Sequence, residues 1–258
     1  FTDKSAFRLS AGRGFRTANP IIENSSPAMV SARTVILKDI DLKPEIAWNY
    51  GASITHLFEI VQKEMNVSFD YYYTDFTNQV IVDIENPREI SFYNLDGKSY
   101  SHSLQAEYSI EITKSLELKT AYKWYNIKTT YNSILKDKPL SPQNRVLVNI
   151  GYITNFDKWK FDLTGHWYDM SRIPSTVGNS PENVVSEKSE AYYTLNGQIT
   201  RAFKKFEIYS GVENILNYKQ ENPIIAANNP NGSNFDASLI WGPVMGRNIY
   251  FGLRYKIK

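Results

Sequence analysis

The sequence predicts an all-β fold, a transmembrane antiparallel up-and-down β-barrel of about ten strands. Ten short amphipathic segments fill the 258 residues, and the gaps between them alternate strictly between long and short. Aromatic residues make up 14% of the chain beside 22% charged residues, yet the mean hydropathy of −0.42 resembles that of a soluble protein. A barrel accounts for all of this: its outer face is apolar, its lumen and loops are polar, and its connections are short at one rim and long at the other.

The strands are expected near 5–14, 44–58, 65–79, 99–111, 117–128, 144–154, 159–169, 191–202, 206–216 and 247–258. The short connections are Glu59–Glu64, Ile112–Leu116, Asn155–Lys158 and Phe203–Lys205. The longer ones include Arg16–Lys43, Val80–Lys98, Ser171–Glu190 and Tyr218–Met245, rich in Asn, Pro, Ser and Gly. Side chains alternate between faces along a strand. Thus Tyr100, His102, Leu104, Ala106, Tyr108 and Ile110 oppose Ser101, Ser103, Gln105, Glu107 and Ser109. In the seventh strand Trp159, Phe161, Leu163 and Trp167 oppose Lys160, Asp162, Thr164 and His166. The last sets Ile249, Phe251, Leu253, Tyr255 and Ile257 against Asn248, Tyr250, Gly252, Arg254 and Lys256.

Across the ten strands only Arg13, Asp75, Lys128 and Arg201 place a charge on the apolar face, each toward a strand end. A Lys or Arg facing lipid at the midplane costs about 2–4 kcal/mol, falling toward zero at the interface. Aromatic residues gather at strand ends, as at Trp48 and Tyr50, Trp124 and Tyr125, Trp167 and Tyr168, and Tyr192 and Tyr193. They read as the girdles of a barrel. A soluble β-sandwich also alternates, but its connections do not alternate long and short. Short turns at the periplasmic rim and long loops outside set the orientation.

Other classes are excluded by composition. No apolar run approaches the roughly 18 residues of a membrane helix. The net charge of +2 is small and dispersed, which argues against a nucleic-acid partner. With no Cys there are no disulfides, thiolate metal sites or Cys nucleophiles. His56, His102 and His166 are isolated, so no metal site and no cofactor site are expected. Gly12-x-Gly14 lacks a third glycine and a following helix, and reads as a kinked strand near the rim. The candidate substrate-binding residues are Arg13 and Arg16 at the outer mouth, where they would attract an anionic chelate or anchor loops, and His166 on the lumen face.

Five segments carry a family resemblance. They are Arg8–Pro20 with its Gly14-Phe15-Arg16, Leu42-Lys43-Pro44-Glu45 leading to Tyr50-Gly51, Tyr93-Asn94-Leu95-Asp96-Gly97, Gly211-Val212-Glu213-Asn214-Ile215-Leu216-Asn217-Tyr218, and Gly246–Gly252. In this order they resemble the C-terminal barrel of TonB-dependent outer-membrane receptors, particularly those of Bacteroidetes-like bacteria. Tyr255-Lys256-Ile257-Lys258 departs from the aromatic ending of many outer-membrane barrels. The resemblance implies that residues 1–258 are part of a receptor barrel, the last ten of about 22 strands, without the plug domain and TonB box. It implies a bacterial outer-membrane location and lipid contact. It also implies active import of a scarce bulky nutrient, driven by the TonB–ExbB–ExbD complex acting on the missing N-terminal region. Cargoes would be a ferric siderophore, haem, cobalamin or an oligosaccharide; a surface lipoprotein partner occurs in sugar-uptake members.

Alternatives from other classes are a complete ten-stranded barrel acting as a passive porin, or an omptin-like protease. The protease reading rests on Asp162, His166 and Asp169 sharing one strand, without a second acidic pair across the barrel. The segment alone is expected not to form a closed channel, because unpaired edge strands in lipid are prohibitive.

Overall fold

A computed structural model describes residues 4–39, 41–60 and 63–256. Phe1 and the end of the last expected strand, Ile257 and Lys258, lie outside the described residues. Ten long strands form one antiparallel wall: β1 (Ser5–Arg16), β3 (Glu45–Ile60), β4 (Lys63–Asn78), β7 (Ser99–Thr113), β8 (Leu116–Tyr131), β10 (Asn144–Ile153), β11 (Trp159–Tyr168), β12 (Tyr192–Ala202), β13 (Phe206–Glu213) and β14 (Asn248–Tyr255). They pair in that order, each with its sequence neighbours in the wall, and β1 and β14 are the two edges of the open sheet. Four further strands lie in the long loops: β2 (Thr34–Leu37), β5 (Val80–Asp83), β6 (Glu89–Asn94) and β9 (Ile134–Asp137).

The register confirms the two faces. Arg13, Trp48, Asp75, Tyr100 and Lys128 form one transverse row, and Phe7, Ile54, Phe69, Ala106 and Tyr122 another. Leu9, Phe69, Ile199, Phe251 and Leu253 stay exposed on that outer face. Three of the four charges the sequence placed on it, Arg13, Asp75 and Lys128, therefore share the extracellular end, where Lys128 pairs with Asp137 at 3.4 Å, while Lys63 adds a further outward charge at the opposite end of β4. The glycines of β1 do not kink it: Gly12 and Gly14 continue in unbroken register opposite Asn49 and Ala47. Inner-face Gly211 and Gly252 admit Tyr250 and Tyr209, whose rings a Cβ there would meet at 2.3 Å. Tyr250 then donates to Gln198 Oε1 at 2.9 Å.

Among the described residues, every buried hydrophobic side chain except Tyr131, at the end of β8, lies in the loops. Ile84, Ile90, Phe92, Ile173, Ile225 and Leu239 form one cluster, against which Ala28, Leu140 and Trp241 pack. All five long connections contribute, so the loops fold into a cap with its own core. Parallel pairing of β2 with β6, and antiparallel pairing of β5 with β6, give the cap a three-stranded sheet.

Two polar locks hold the cap. Arg33, whose side chain is 0% exposed, donates through Nε and Nη2 to Asp236 Oδ2 at 3.0 and 2.9 Å. Its Nη1 serves the carbonyls of Ile84, Asn86 and Glu89 at 3.2, 2.7 and 3.1 Å. In the second lock, Arg172 grips Glu85 bidentately at 2.7 and 3.0 Å, and Lys136 reaches the same carboxylate at 2.7 Å. Burial pushes the Glu85 carboxyl up, but the bonds and charges of Arg172 and Lys136 outweigh it, so the group titrates below its ordinary range. A depressed folded value stabilises above the unfolded value, about 4.3, and that contribution disappears as pH falls through the folded value. Hydrogen-exchange protection of segment 80–95 should thus hold from neutral pH to below about pH 4.3 and then drop. Glu85→Gln should lower protection at neutral pH and flatten its acid dependence.

Candidate functional site

Cross-strand register places Lys123 opposite Arg145, Arg145 opposite Tyr168, and Tyr168 opposite Tyr192, all on the inner face. Lys123 Nζ lies 5.0 Å from the Tyr125 ring centre. The Arg145 guanidinium sits between Tyr125 and Tyr168, at 5.7 and 5.9 Å. Among the described residues no acidic side chain forms an ion pair with either cation, and Arg145 Nε is buried without a hydrogen-bond partner. Like charges directly opposite one another destabilise a sheet, and the tyrosine faces offset that only in part. The wall therefore carries two closely spaced positive charges that are not ion-paired among the described residues.

An aromatic ladder continues from these cations into the cap. His166 stacks on Tyr168 at 6.1 Å, Tyr168 on Tyr192 at 4.7 Å, and Tyr192 on Tyr218 at 5.0 Å, with Trp241 tilted against Tyr192 at 5.9 Å. Buried Gln220 holds the upper end: its Oε1 accepts from the Trp241 and Gly242 amides at 2.9 and 3.0 Å, and its Nε2 donates to the Leu239 carbonyl at 3.2 Å. Asn214, at φ 51°, bonds the amide and carbonyl of Tyr218 through its own side chain at 3.1 and 2.7 Å. Burial, with Glu190 and Glu221 nearby, raises the Tyr218 phenol above its ordinary range, so it stays a neutral donor. Separately, a chamber of about 610 Å³ opens between the cap and the extracellular ends of β4, β7 and β8, lined by Phe76, Ser101, Ile127, Thr129, Ile81 and Ile240.

The three sequence candidates do not meet. Arg13 lies on the outer face opposite Trp48. Arg16 ends β1 and is held by Glu45 at 2.7 Å and Glu23 at 3.2 Å. His166 is on the inner face at the lower end of the ladder, opposite Leu147 and Thr194. The other two histidines face outward in the girdles: His102 Nδ1 is 2.8 Å from the Tyr71 hydroxyl and His56 Nδ1 2.6 Å from the Ser5 hydroxyl. Of the strand-end rings expected in the girdles, Trp124, Trp167 and Tyr193 do face outward, but Tyr125, Tyr168 and Tyr192 face inward. Neighbours in a strand point to opposite faces, so only one of each adjacent pair can meet lipid. Among the described residues no three His, Asp or Glu side chains come together to hold a metal.

The motif residues explain one another in space. Arg16 of the first motif pairs with Glu45 of the second, and Asn94 of the third accepts from the Lys43 amide at 2.9 Å. Asn217 accepts from the Arg247 amide at 2.9 Å, while Arg247 Nη2 donates to the Ile215 carbonyl at 2.6 Å. These contacts close the rim where wall and cap join.

An antiparallel wall with apolar side chains outward, a polar inner face and a folded cap over long loops defines an outer-membrane β-barrel of the capped-receptor kind. The model of the family described as "TonB dependent receptor-like, beta-barrel" matches residues 1–215, and the chain belongs to that family, whose barrels sit in the bacterial outer membrane. No curated protein matches the sequence. Among solved structures, a mutant of the ferric enterobactin receptor PfeA of Pseudomonas aeruginosa in complex with enterobactin is similar at a TM-score of 0.65 and 14% identity, covering 98% of this chain and 38% of its own. FpvA of P. aeruginosa with a ferric pyoverdine gives 0.60 and 16%, covering 99% and 31%. The copper transporter OprC gives 0.70 and 10%, covering 99% and 37%. The chain thus spans about a third of the length of the structures it matches.

Proposed function

We propose that this chain supplies part of the wall and extracellular cap of an active importer, which takes up a scarce, bulky, anionic chelate with energy delivered through TonB. The observation that carries the reading is the Lys123–Arg145 pair, without an ion-paired carboxylate among the described residues and set among tyrosines on the inner wall. A ferric siderophore fits best: oxygen-rich, anionic chelates satisfy the two cations, and flat ligand groups stack on Tyr168, Tyr192 and Trp241. The solved structures of a ferric enterobactin receptor, a ferric pyoverdine receptor and a copper transporter support iron or copper cargo for this reading. His166, at the lower end of the ladder, would contact the ligand; Arg13 and Arg16 would act at the rim, Arg16 mainly by anchoring the first loop to Glu23 and Glu45. The chain is not an enzyme in this reading.

The test is uptake of radiolabelled iron, presented on a panel of siderophores, by iron-starved cells with and without the protein. Uptake that needs the protein and stops when TonB is absent is expected. Uptake of small solutes independent of TonB would instead make it a porin. Proteolysis abolished by His166→Ala or Asp169→Asn would make it a protease.

A further inference from the structure

At the opposite rim, two short turns bring a second set of cations and rings together on the outer face. The turn after β10 contains Phe156 and Lys158, and the turn after β12 contains Phe203, Lys204 and Lys205. They are neighbours, because Trp159 pairs with Arg201 and the Ala202 amide donates to the Lys158 carbonyl at 2.9 Å. The Arg201 guanidinium lies 4.8 Å from the Trp159 ring centre and 5.5 Å from that of Phe203, which stacks on Phe206 at 4.4 Å. Lys158 Nζ is 5.5 Å from the Phe156 ring.

Two features set this cluster apart from an ordinary aromatic girdle. Phe156 is 90% exposed and sits at φ 61°, a left-handed conformation that bulky residues rarely adopt. Backbone strain of this sort persists where the surroundings hold it and clusters at functional positions. The charge is also unbalanced. Among the described residues Lys158, Arg201, Lys204 and Lys205 make no ion pair, Asp157 is the one carboxylate in the two turns, and the nearby Glu207 faces inward, already shared by Lys160, Arg254 and Lys256.

We propose that these two turns form a binding site for an anionic phospholipid of the periplasmic leaflet. Arg201, held between Trp159 and Phe203, takes the phosphodiester, Lys158, Lys204 and Lys205 take the remaining headgroup charge, and Phe156 enters the acyl boundary. The occupant is a lipid because the rings and Arg201 share the outward face that meets the membrane, at interface depth, where cations without protein counter-charges match anionic headgroups.

The native protein, extracted from outer membranes and exchanged into mixed micelles, is titrated with phosphatidylglycerol and phosphatidylcholine and read by native mass spectrometry. Preferential retention of phosphatidylglycerol is expected, with the preference falling about fivefold for each cation removed in Lys158→Gln and Arg201→Gln. Lys119→Gln, on the inner face, should leave it unchanged. Heat-modifiable migration in gels verifies that each variant keeps its barrel; should Arg201→Gln lose it, Lys204→Gln with Lys205→Gln provides the same readout from the turn alone. Equal retention of the two lipids, or a preference indifferent to these turn substitutions, would overturn the site.

Discussion

Replacing Arg33 with alanine should release the extracellular cap while leaving the wall intact. The Arg33 side chain is fully enclosed and Asp236 is 3% exposed, so removing the guanidinium strands a buried carboxylate. Breaking a buried pair in this way typically costs about 3–5 kcal/mol. The carbonyls of Ile84, Asn86 and Glu89 each lose the Arg33 donor at the same time, although Asn86 keeps the Glu89 amide at 3.2 Å. A double substitution, Arg33→Met with Asp236→Leu, separates the two contributions. Were the ion pair all that mattered, the double variant would approach the parent, since apolar replacement of a buried pair is often neutral. The carbonyls argue otherwise: each unsatisfied group costs about 1–3 kcal/mol, so recovery should be partial. Protease added to intact cells reads the result. Both variants should be cut within 80–92 and 225–239, the single one faster, while the strands stay protected in the membrane. An uncut single variant would mean that the cap is held chiefly by the Ile84, Phe92 and Leu239 core.

The wall was legible in the sequence because each strand repeats one signal, alternation at period two, along most of its length. Errors at the ends are small: β8 runs to Tyr131 where 128 was expected, and β13 stops at Glu213 where 216 was expected. Asn214 explains the second case, since its positive φ and its bonds to Tyr218 start the turn inside an apparently continuous apolar pattern. The cap was not legible as a unit. Its core draws single residues from loops far apart in the chain, and Arg33 and Asp236 are 203 positions apart. Local hints did exist. Val80-Ile81-Val82 is a β-branched run, and Ile90-Ser91-Phe92 alternates, yet stretches of four to six residues fall below the length at which a period is distinctive. In the turns of the Asn228–Asn234 stretch, the Pro230 and Gly232 carbonyls accept bonds from Ser31, and the Asn234 side chain accepts from Arg88 at 2.6 Å, contacts between loops that no local pattern announces.

The inner-wall site was half legible. Composition and position drew attention to His166, but Lys123 and Arg145 looked like two of many lumen charges. Their significance depends on what does not sit beside them. Only register shows that they are directly opposed across β8 and β10, and among the described residues no carboxylate forms an ion pair with them.

Charge removal at that pair should separate the candidate cargoes. Lys123→Gln is the cleaner change, because Arg145 also packs between Tyr125 and Tyr168 and its loss would disturb the rings. Hydrogen bonds to charged groups contribute about 1.5–3 kcal/mol, so losing one contact to an anionic chelate should weaken binding roughly 10- to 100-fold. Lys123→Glu should go further, since repulsion also slows encounter in a lumen whose walls focus the field, and the deficit should shrink as salt rises. A neutral oligosaccharide would respond differently. Its affinity would pass nearly unchanged through Lys123→Gln but fall with Tyr192→Ala or Trp241→Ala, which remove stacking surface at the upper end of the ladder. An anionic, flat-ringed chelate should be sensitive to both sets of changes. Equilibrium binding of the candidate ligands to the four variants at two ionic strengths therefore tests the charge of the cargo. If Lys123→Glu left the affinity of every anionic chelate intact, the two cations would have no part in recognition, and the siderophore reading would lose the observation on which it stands.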